Sequence, residues 1–145
     1  MPRFIVFVTL SGQGREDYEH GRMPDREEIS RTMTYNQALA EAGVMQGGDG
    51  LHPHSRTIRV AFGDGGPVVS DGPFAESKEV IGGYWLWNVG SRREALEWAQ
   101  KCPLNAGDGL ELRQIFDPED FGDAIGPAEQ AQIDDVASKI SSATM

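Results

Sequence analysis

The chain has 145 residues, of which 39% are hydrophobic, and a formal net charge of −10. A chain of this length can bury one adequate core, and its negative charge argues against nucleic-acid and membrane-surface partners, because phosphates would be repelled. Its single cysteine, Cys102, cannot form an internal disulfide, and neither a signal peptide nor a membrane-spanning run is recognisable, so we expect a cytoplasmic protein.

The first predicted elements are a strand and a helix separated by a loop. Residues 4–10 are apolar, β-branched or aromatic, which is typical of a central strand covered on both faces. The polar residues 11–22 predict a loop. Asp25 and Glu28 predict a capping box at the start of a helix that ends near Gly43. We expect this helix to bury Ile29, Met33, Ala40 and Gly43, with Asn36 between them.

The middle of the chain predicts a hairpin. Residues 44–54 are rich in glycine and proline and predict extended or turn structure. Residues 56–62 alternate between apolar and polar side chains, as in a half-buried strand, and the turn at 63–66 leads to the apolar pair Val68 and Val69.

Two further strands and a helix complete the main pattern. Residues 84–89 carry large apolar side chains on both faces of a strand, and residues 110–116 alternate as the last strand. Between them, Ser91 and Glu94 predict a second capped helix that ends at Pro103, with Ala95, Ala99 and Cys102 directed inward. This order predicts an α+β fold, an antiparallel sheet with both helices on one face. The other apolar face needs a cover, for which a second copy of the chain is the simplest choice.

The C-terminal residues differ in composition from the rest. Residues 117–145 contain seven acidic residues and one lysine, so they carry −6 of the net charge of −10. Ile133, Val136 and Ile140 recur at helical spacing, which predicts a short amphipathic helix. We therefore divide the chain into a domain over residues 1–116 and an acidic extension over residues 117–145.

The most specific motif is Asp-Gly-Pro-Phe-Ala-Glu-Ser-Lys-Glu at residues 71–79, followed by Val-Ile-Gly-Gly-Tyr at residues 80–84. With Gly-Gly-Asp-Gly-Leu at 47–51 and Glu-Ala-Leu-Glu-Trp-Ala at 94–99, it resembles the YCII-related, or DGPF-domain, family over about residues 1–116. The resemblance implies a ferredoxin-like dimeric α+β barrel. It also implies either proton transfer by a histidine-aspartate pair on small, often aromatic, metabolites, or a non-catalytic accessory role linked to sigma-factor signalling. The histidine of that pair would fall near the first helix, where residues 25–43 contain none and His20 lies just outside.

The candidate site residues lie around this motif. We expect Asp71 to accept a proton and His52 or Lys78 to polarise a small organic ligand. Glu76, His54, Tyr84 and Tyr35 are the further candidates for ligand binding. The alternative for Asp71 is a plain turn residue, and for Glu76 and Lys78 a solvated loop. His52 and His54 flank Pro53 and could face one site or simply be exposed.

No metal or organic cofactor is expected. A zinc site needs three or four ligands at defined spacing, and the chain has three histidines and one cysteine. Gly12-Gln13-Gly14 follows a strand, as in a dinucleotide-binding fingerprint, but Asp17 stands where the third glycine belongs and no helix is predicted there. The neighbouring acidic side chains would also repel a pyrophosphate. Cys102 and the three tryptophans are interpreted as structural.

Overall fold

The computed structural model describes residues 1–72 and 80–143. The chain forms two compact units, Met1–Gln114 and Ile115–Met145. The helices and strands of the first unit are β1 (Arg3–Leu10), α1 (Gly12–Glu19), α2 (Arg26–Glu41), β2 (Met45–Gly50), a 3-10 turn (His54–Arg56), β3 (Ile58–Gly63), β4 (Gly66–Asp71), β5 (Val80–Asn88), α3 (Arg92–Gln100) and β6 (Gly109–Gln114). The second unit has a kinked 3-10 segment (Pro118–Ala124) and α4 (Pro127–Ala143).

The sheet is antiparallel and the fold is α+β, as the sequence predicted. Four strands form one sheet in the order β2-β5-β1-β6, and β1 pairs with β5 and β6 on its two sides. The predicted hairpin is also present, but β3 and β4 form a separate two-stranded sheet.

The core lies between the four-stranded sheet and the helices α2 and α3. Its largest fully buried side chains are Trp87, Leu39, Val6, Val44 and Val89. Burying one such side chain contributes roughly 1.5–3 kcal/mol. Tyr35 and Leu39 from α2 and Ala95 from α3 join the same cluster, so the two helices cover one face of the sheet.

Both helices begin at the predicted N-cap residues, but the reciprocal bond from the Glu side chain to the N-cap amide that would complete each predicted capping box is not formed. The Asp25 side chain accepts the backbone N–H of Glu28 at 2.9 Å, and the Ser91 side chain accepts that of Glu94 at 3.1 Å. Each such contact satisfies an amide at the start of a helix that lacks an intrahelical partner. Ala95, Ala99 and Cys102 face the core as predicted.

The buried face of α2 was predicted wrongly. Ile29 and Met33 are 44% and 51% exposed, and Ala40 and Gly43 are exposed as well. The helix instead buries Tyr35 and Leu39, while Asn36 accepts a hydrogen bond from the Trp85 indole N–H at 2.8 Å. Asn36 was expected on the buried stripe, whereas Tyr35 was expected to line the ligand site; in the structure each finds a hydrogen-bond partner in the packed interior.

The predicted loop over residues 11–22 is also wrong, because residues Gly12–Glu19 form α1. This helix has no buried residue and few apolar ones, so it lacks the hydrophobic pattern that indicates a helix. A helix therefore begins at Gly12, contrary to the prediction that none starts there. The missing third glycine and the surrounding acidic residues still argue against a dinucleotide site.

Strand β2 was seen only as extended or turn structure, because its sequence Met-Gln-Gly-Gly-Asp-Gly has low β-propensity. Close packing against β5 explains why one position of β2 is a glycine. A Cβ atom at Gly48 would lie 2.7 Å from Cδ1 of Trp85, so a larger residue would clash with the neighbouring strand.

The second unit contains the predicted helix. Residues 133, 136 and 140 all lie on α4, where Val136 and Ile140 are more than half exposed. The rings of Phe116 and Phe121 contact each other with centroids 5.0 Å apart. Within the described parts of the chain, no helix combines the length and the apolar character needed to cross a bilayer.

Candidate functional site

The four-stranded sheet has a second face, directed away from α2 and α3. Successive side chains of a strand point to opposite faces. Trp85 and Trp87 of β5 are buried under the helices, so Tyr84 and Leu86 lie on the second face. The same alternation places Ile5 and Phe7 of β1 there. These four side chains are only half-buried, which leaves an open surface with an apolar centre. We call it the open sheet face.

One row of residues crosses this face from strand to strand. In the register of the sheet, Asp49 of β2 is opposite Tyr84, Tyr84 is opposite Phe7, and Phe7 is opposite Glu111 of β6. The Tyr84 hydroxyl donates a hydrogen bond to Oδ2 of Asp49 at 3.1 Å. This bond and the charge of Asp49 raise the pKa of Tyr84, with a further contribution from desolvation. The phenol therefore stays protonated and orients the carboxylate, whose other oxygen could accept from a ligand.

Helix α1 fixes the loop that follows β2. The Tyr18 hydroxyl lies 2.8 Å from the carbonyl oxygen of Leu51 and 2.6 Å from that of His52, and it shares its one proton between them. Burial raises the pKa of Tyr18, and the charge of Glu19 adds to the effect. Oε1 of Glu19 is buried and has no hydrogen-bond partner among residues 1–72 and 80–143. An unsatisfied buried oxygen of this kind costs about 1–3 kcal/mol of stability.

His52 lies against an arginine. Nη1 of Arg56 is 3.1 Å from Nδ1 and 3.2 Å from Nε2 of His52, so it can donate to whichever ring nitrogen is unprotonated. His54 is half-buried at the start of the 3-10 turn.

Asp71 lies close to this segment through strand pairing. It is the exposed last residue of β4 and is opposite Ile58, the first residue of β3. The backbone N–H of Gly72 donates to the carbonyl oxygen of Thr57 at 2.7 Å. Strand pairing therefore places Asp71, the first residue of the DGPF motif, opposite Ile58, which follows Arg56 by two residues.

A family model for the YCII-related domain matches residues 6–119. The chain belongs to the YCII-related family. A search of curated proteins found no match. The matched segment contains all of β2 to β6 and most of β1, and it ends within the 3-10 segment of the second unit.

In the structure of this YCII-related chain, the described site candidates lie on several different elements. The Tyr84 hydroxyl is hydrogen-bonded to Asp49. His52 follows Asp49 by three residues, and its carbonyl oxygen accepts a hydrogen bond from Tyr18. His54 and Asp71 lie on the adjoining turn and strand end. Glu76 and Lys78 fall outside the described residues. Within those residues, no group of three or more His, Cys, Asp or Glu side chains is placed to hold a metal ion.

Tyr35 lies apart from these residues, in the core on the helix side of the sheet. Its hydroxyl donates to the carbonyl oxygen of Trp98 at 2.6 Å, and its ring packs against Trp85 at a centroid distance of 5.6 Å. Burial, and secondarily Cys102, raises the pKa of Tyr35 well above its usual range. Burial also raises the pKa of Cys102 to about 12, so the thiol stays protonated and is a poor nucleophile.

Three members of the site were not predicted as such from the sequence. Asp49 entered the sequence analysis only within the Gly-Gly-Asp-Gly-Leu match at 47–51, and its proximity to Tyr84 follows from the pairing of β2 with β5. Tyr18 was hidden in the segment predicted as a loop. Arg56 was read as the start of a strand, and only the 3-10 turn places it against His52.

Proposed function

We propose that this YCII-related domain binds a small organic molecule on the open sheet face, beside Phe7, Tyr84 and Asp49. The observation that carries the proposal is the row Asp49, Tyr84 and Phe7, in which a carboxylate is fixed by a phenol next to an apolar ring. An aromatic ligand could stack on Phe7 and donate an O–H to Asp49. Phenols combine these two properties.

A second copy of the chain completes the site in this proposal. The strand order β2-β5-β1-β6, with α2 and α3 on one side, supports a ferredoxin-like arrangement. A partner placed over the half-buried apolar side chains of the open sheet face would convert that surface into an enclosed cleft, a dimeric α+β barrel. Enclosure would strengthen the hydrogen bonds to a ligand by excluding water. We place this dimer in the cytoplasm.

Proton transfer on the bound molecule is the catalytic part of the proposal. Asp49 can accept a proton from a ligand hydroxyl, and His52, three residues away, is the candidate partner in that transfer. Asp71, at the end of β4, is the second candidate acceptor, with Lys78 as the cation that polarises the substrate.

The test is a binding assay with simple phenols. We expect 4-hydroxybenzaldehyde or 4-nitrophenol to bind the full chain, and Asp49→Asn and Tyr84→Phe to weaken binding at least about fivefold, because the first removes the charge of the acceptor and the second removes the hydrogen bond that orients it. Asp123→Asn, which changes an exposed carboxylate in the second unit, is the matched control and should bind as the wild type does. Isothermal titration gives the dissociation constants, and thermal melts show that the variants are folded.

Equal binding by the wild type and both variants would remove the open sheet face as the site. Asp71→Asn separates the two candidate acceptors, because an asparagine keeps the turn hydrogen bond of a purely structural Asp71 and should then be silent. Absence of phenol binding would favour a non-catalytic accessory domain. The exposed Val136 and Ile140 on α4 support that second candidate, since they offer an apolar contact surface for a partner protein.

A further inference from the structure

The outer surface of the first unit has a groove between α2 and α3, on the opposite side of the sheet from the proposed phenol site. Its volume is about 380 Å³, within the range of roughly 300–1,000 Å³ that small-molecule sites occupy. Tyr35, Ala38, Trp98 and Pro103 supply its apolar wall. The hydrogen bond from Tyr35 to the carbonyl oxygen of Trp98 joins the two helices beneath the groove, so this wall is formed before any ligand arrives.

Two cations lie in this groove, Arg31 from α2 and Lys101 at the end of α3. Nζ of Lys101 is 5.2 Å from the centre of the Trp98 ring. None of the described residues that line the groove is acidic. This is unusual in a chain with 23 acidic and 13 basic residues, and it makes the groove a local attraction for an anion.

Of these two cations, only Lys101 occupies a position where a positive charge stabilises a helix. Lys101 is the C-terminal cap of α3, where a positive charge favours the helix dipole. Arg31 lies within α2, away from its C-terminal end, and it takes part in none of the ion pairs among residues 1–72 and 80–143. An arginine beside an apolar wall, with a second cation across the groove, suits a carboxylate.

We propose that the groove between α2 and α3 binds a small carboxylic acid with an apolar body. The carboxylate lies between Arg31 and Lys101, and the body packs on Trp98 and Ala38. The hydroxyl groups of Ser30 and Thr34, which also line the groove, can donate to the carboxylate oxygens. This site differs from the open sheet face in location, because it lies on the helix side of the sheet.

The experiment uses benzoate and 2-naphthoate as probes, with benzamide as the neutral control, in isothermal titration of the full chain. We expect dissociation constants on the order of 1 mM for benzoate and tighter binding of 2-naphthoate, because its body is larger. Arg31→Met and Lys101→Met keep most of the side-chain bulk and should each weaken binding at least about fivefold. Benzamide should bind more weakly than benzoate by a similar factor.

Two further variants separate the groove from other sites. Ala38→Leu fills the floor without changing charge or helix propensity and should reduce binding of both acids. Arg92→Met removes an exposed cation from the other end of α3, and Asp49→Asn alters the phenol site, so both should bind benzoate as the wild type does. The proposal is overturned if neither acid binds, or if their affinity is the same in Arg31→Met, Lys101→Met and Ala38→Leu as in the wild type. The phenol site could fail its own test without affecting this result.

Discussion

At the scale of single residues, Asp108 shows how one side chain joins separate parts of the fold. It precedes β6, and its carboxylate accepts the backbone N–H of Ser11 at the start of α1. Gly14 allows this approach, because a Cβ atom there would lie 2.8 Å from Oδ1 of Asp108. Burial raises the pKa of Asp108, and the Ser11 hydrogen bond opposes that shift without cancelling it.

The raised pKa predicts how stability depends on pH. A carboxyl group with a higher pKa in the folded state binds its proton more tightly there, so its ionisation destabilises the fold as pH rises above the unfolded value near 3.8. Asp108→Asn keeps an acceptor for the Ser11 N–H and removes the charge. We therefore expect its free energy of unfolding at pH 7 to equal or exceed that of the wild type, by less than about 1 kcal/mol because the group is partly solvated.

Urea unfolding at pH 7 and pH 3 measures this effect. The advantage of Asp108→Asn should shrink at pH 3, where the wild-type carboxyl group is largely protonated. Asp108→Ala is the control, since it removes both charge and acceptor and should lose about 1 kcal/mol at both pH values, as helix caps do. The raised pKa of Asp108 would be contradicted if Asp108→Asn, compared with the wild type at the same pH, were clearly less stable at pH 7 than at pH 3.

The residues of the candidate site illustrate what sequence can reveal. Tyr84 and His52 stood out because one lies on an aromatic strand and the other beside a second histidine. Asp49 and Tyr18 did not, because a tyrosine near an acidic residue becomes informative only when strand register or helix packing brings it to a partner. Tyr35 was attractive as an aromatic residue, but the stripe chosen for α2 placed it on the wrong side of the helix.

At the scale of elements, the outcome depended on whether local chemistry or distant packing determines the structure. The capped starts of α2 and α3 were predicted because Asp25 and Ser91 bond amides three residues away. The α+β order followed from the continuous apolar runs of β1 and β5 and from the capped starts of the helices. Helix α1 and strand β2 were missed because their sequences contain few apolar residues. The pairing of β3 with β4 alone, outside the main sheet, depends on long-range contacts that periodicity does not report.

The C-terminal unit provides a test at this scale. Strand β6 ends at Gln114, and no helix or strand of the first unit lies beyond it. We expect removal of residues 118–145 to leave a folded domain whose melting temperature falls by less than about 5 °C, since that core keeps all of its buried side chains. Circular dichroism during heating measures both structure and midpoint. If the truncated protein is unfolded, Ile133, Val136 and Ile140 belong to the core. Leu39→Asn in the full chain is the control for loss of the core, and it should unfold the protein whichever result the truncation gives.

At the scale of the whole molecule, the distribution of apolar surface is the main feature. The helix side of the sheet is closed by α2 and α3, but the open sheet face leaves Ile5, Phe7 and Leu86 half-buried. The hairpin has exposed apolar residues of its own, because cross-strand pairing places Ile58, Val60, Phe62 and Val69 on one of its faces. Phe62 is 83% exposed. Contiguous apolar patches of this kind are rare on monomers and mark contact surfaces.

The open sheet face predicts a dimer that a single charge should disrupt. We expect the wild type to scatter light as a particle of about twice the 15.8 kDa chain mass, with an interface burying at least about 1,200 Å². Ile5→Arg places an unpaired charge in the middle of that interface, so the variant should be monomeric at micromolar concentration. Ile29→Arg makes the same change on the exposed side of α2 and should remain dimeric. If both variants keep a dimeric wild-type mass, the two chains associate through another surface. If the wild type itself is monomeric, the open sheet face is exposed to solvent and no partner encloses the phenol site.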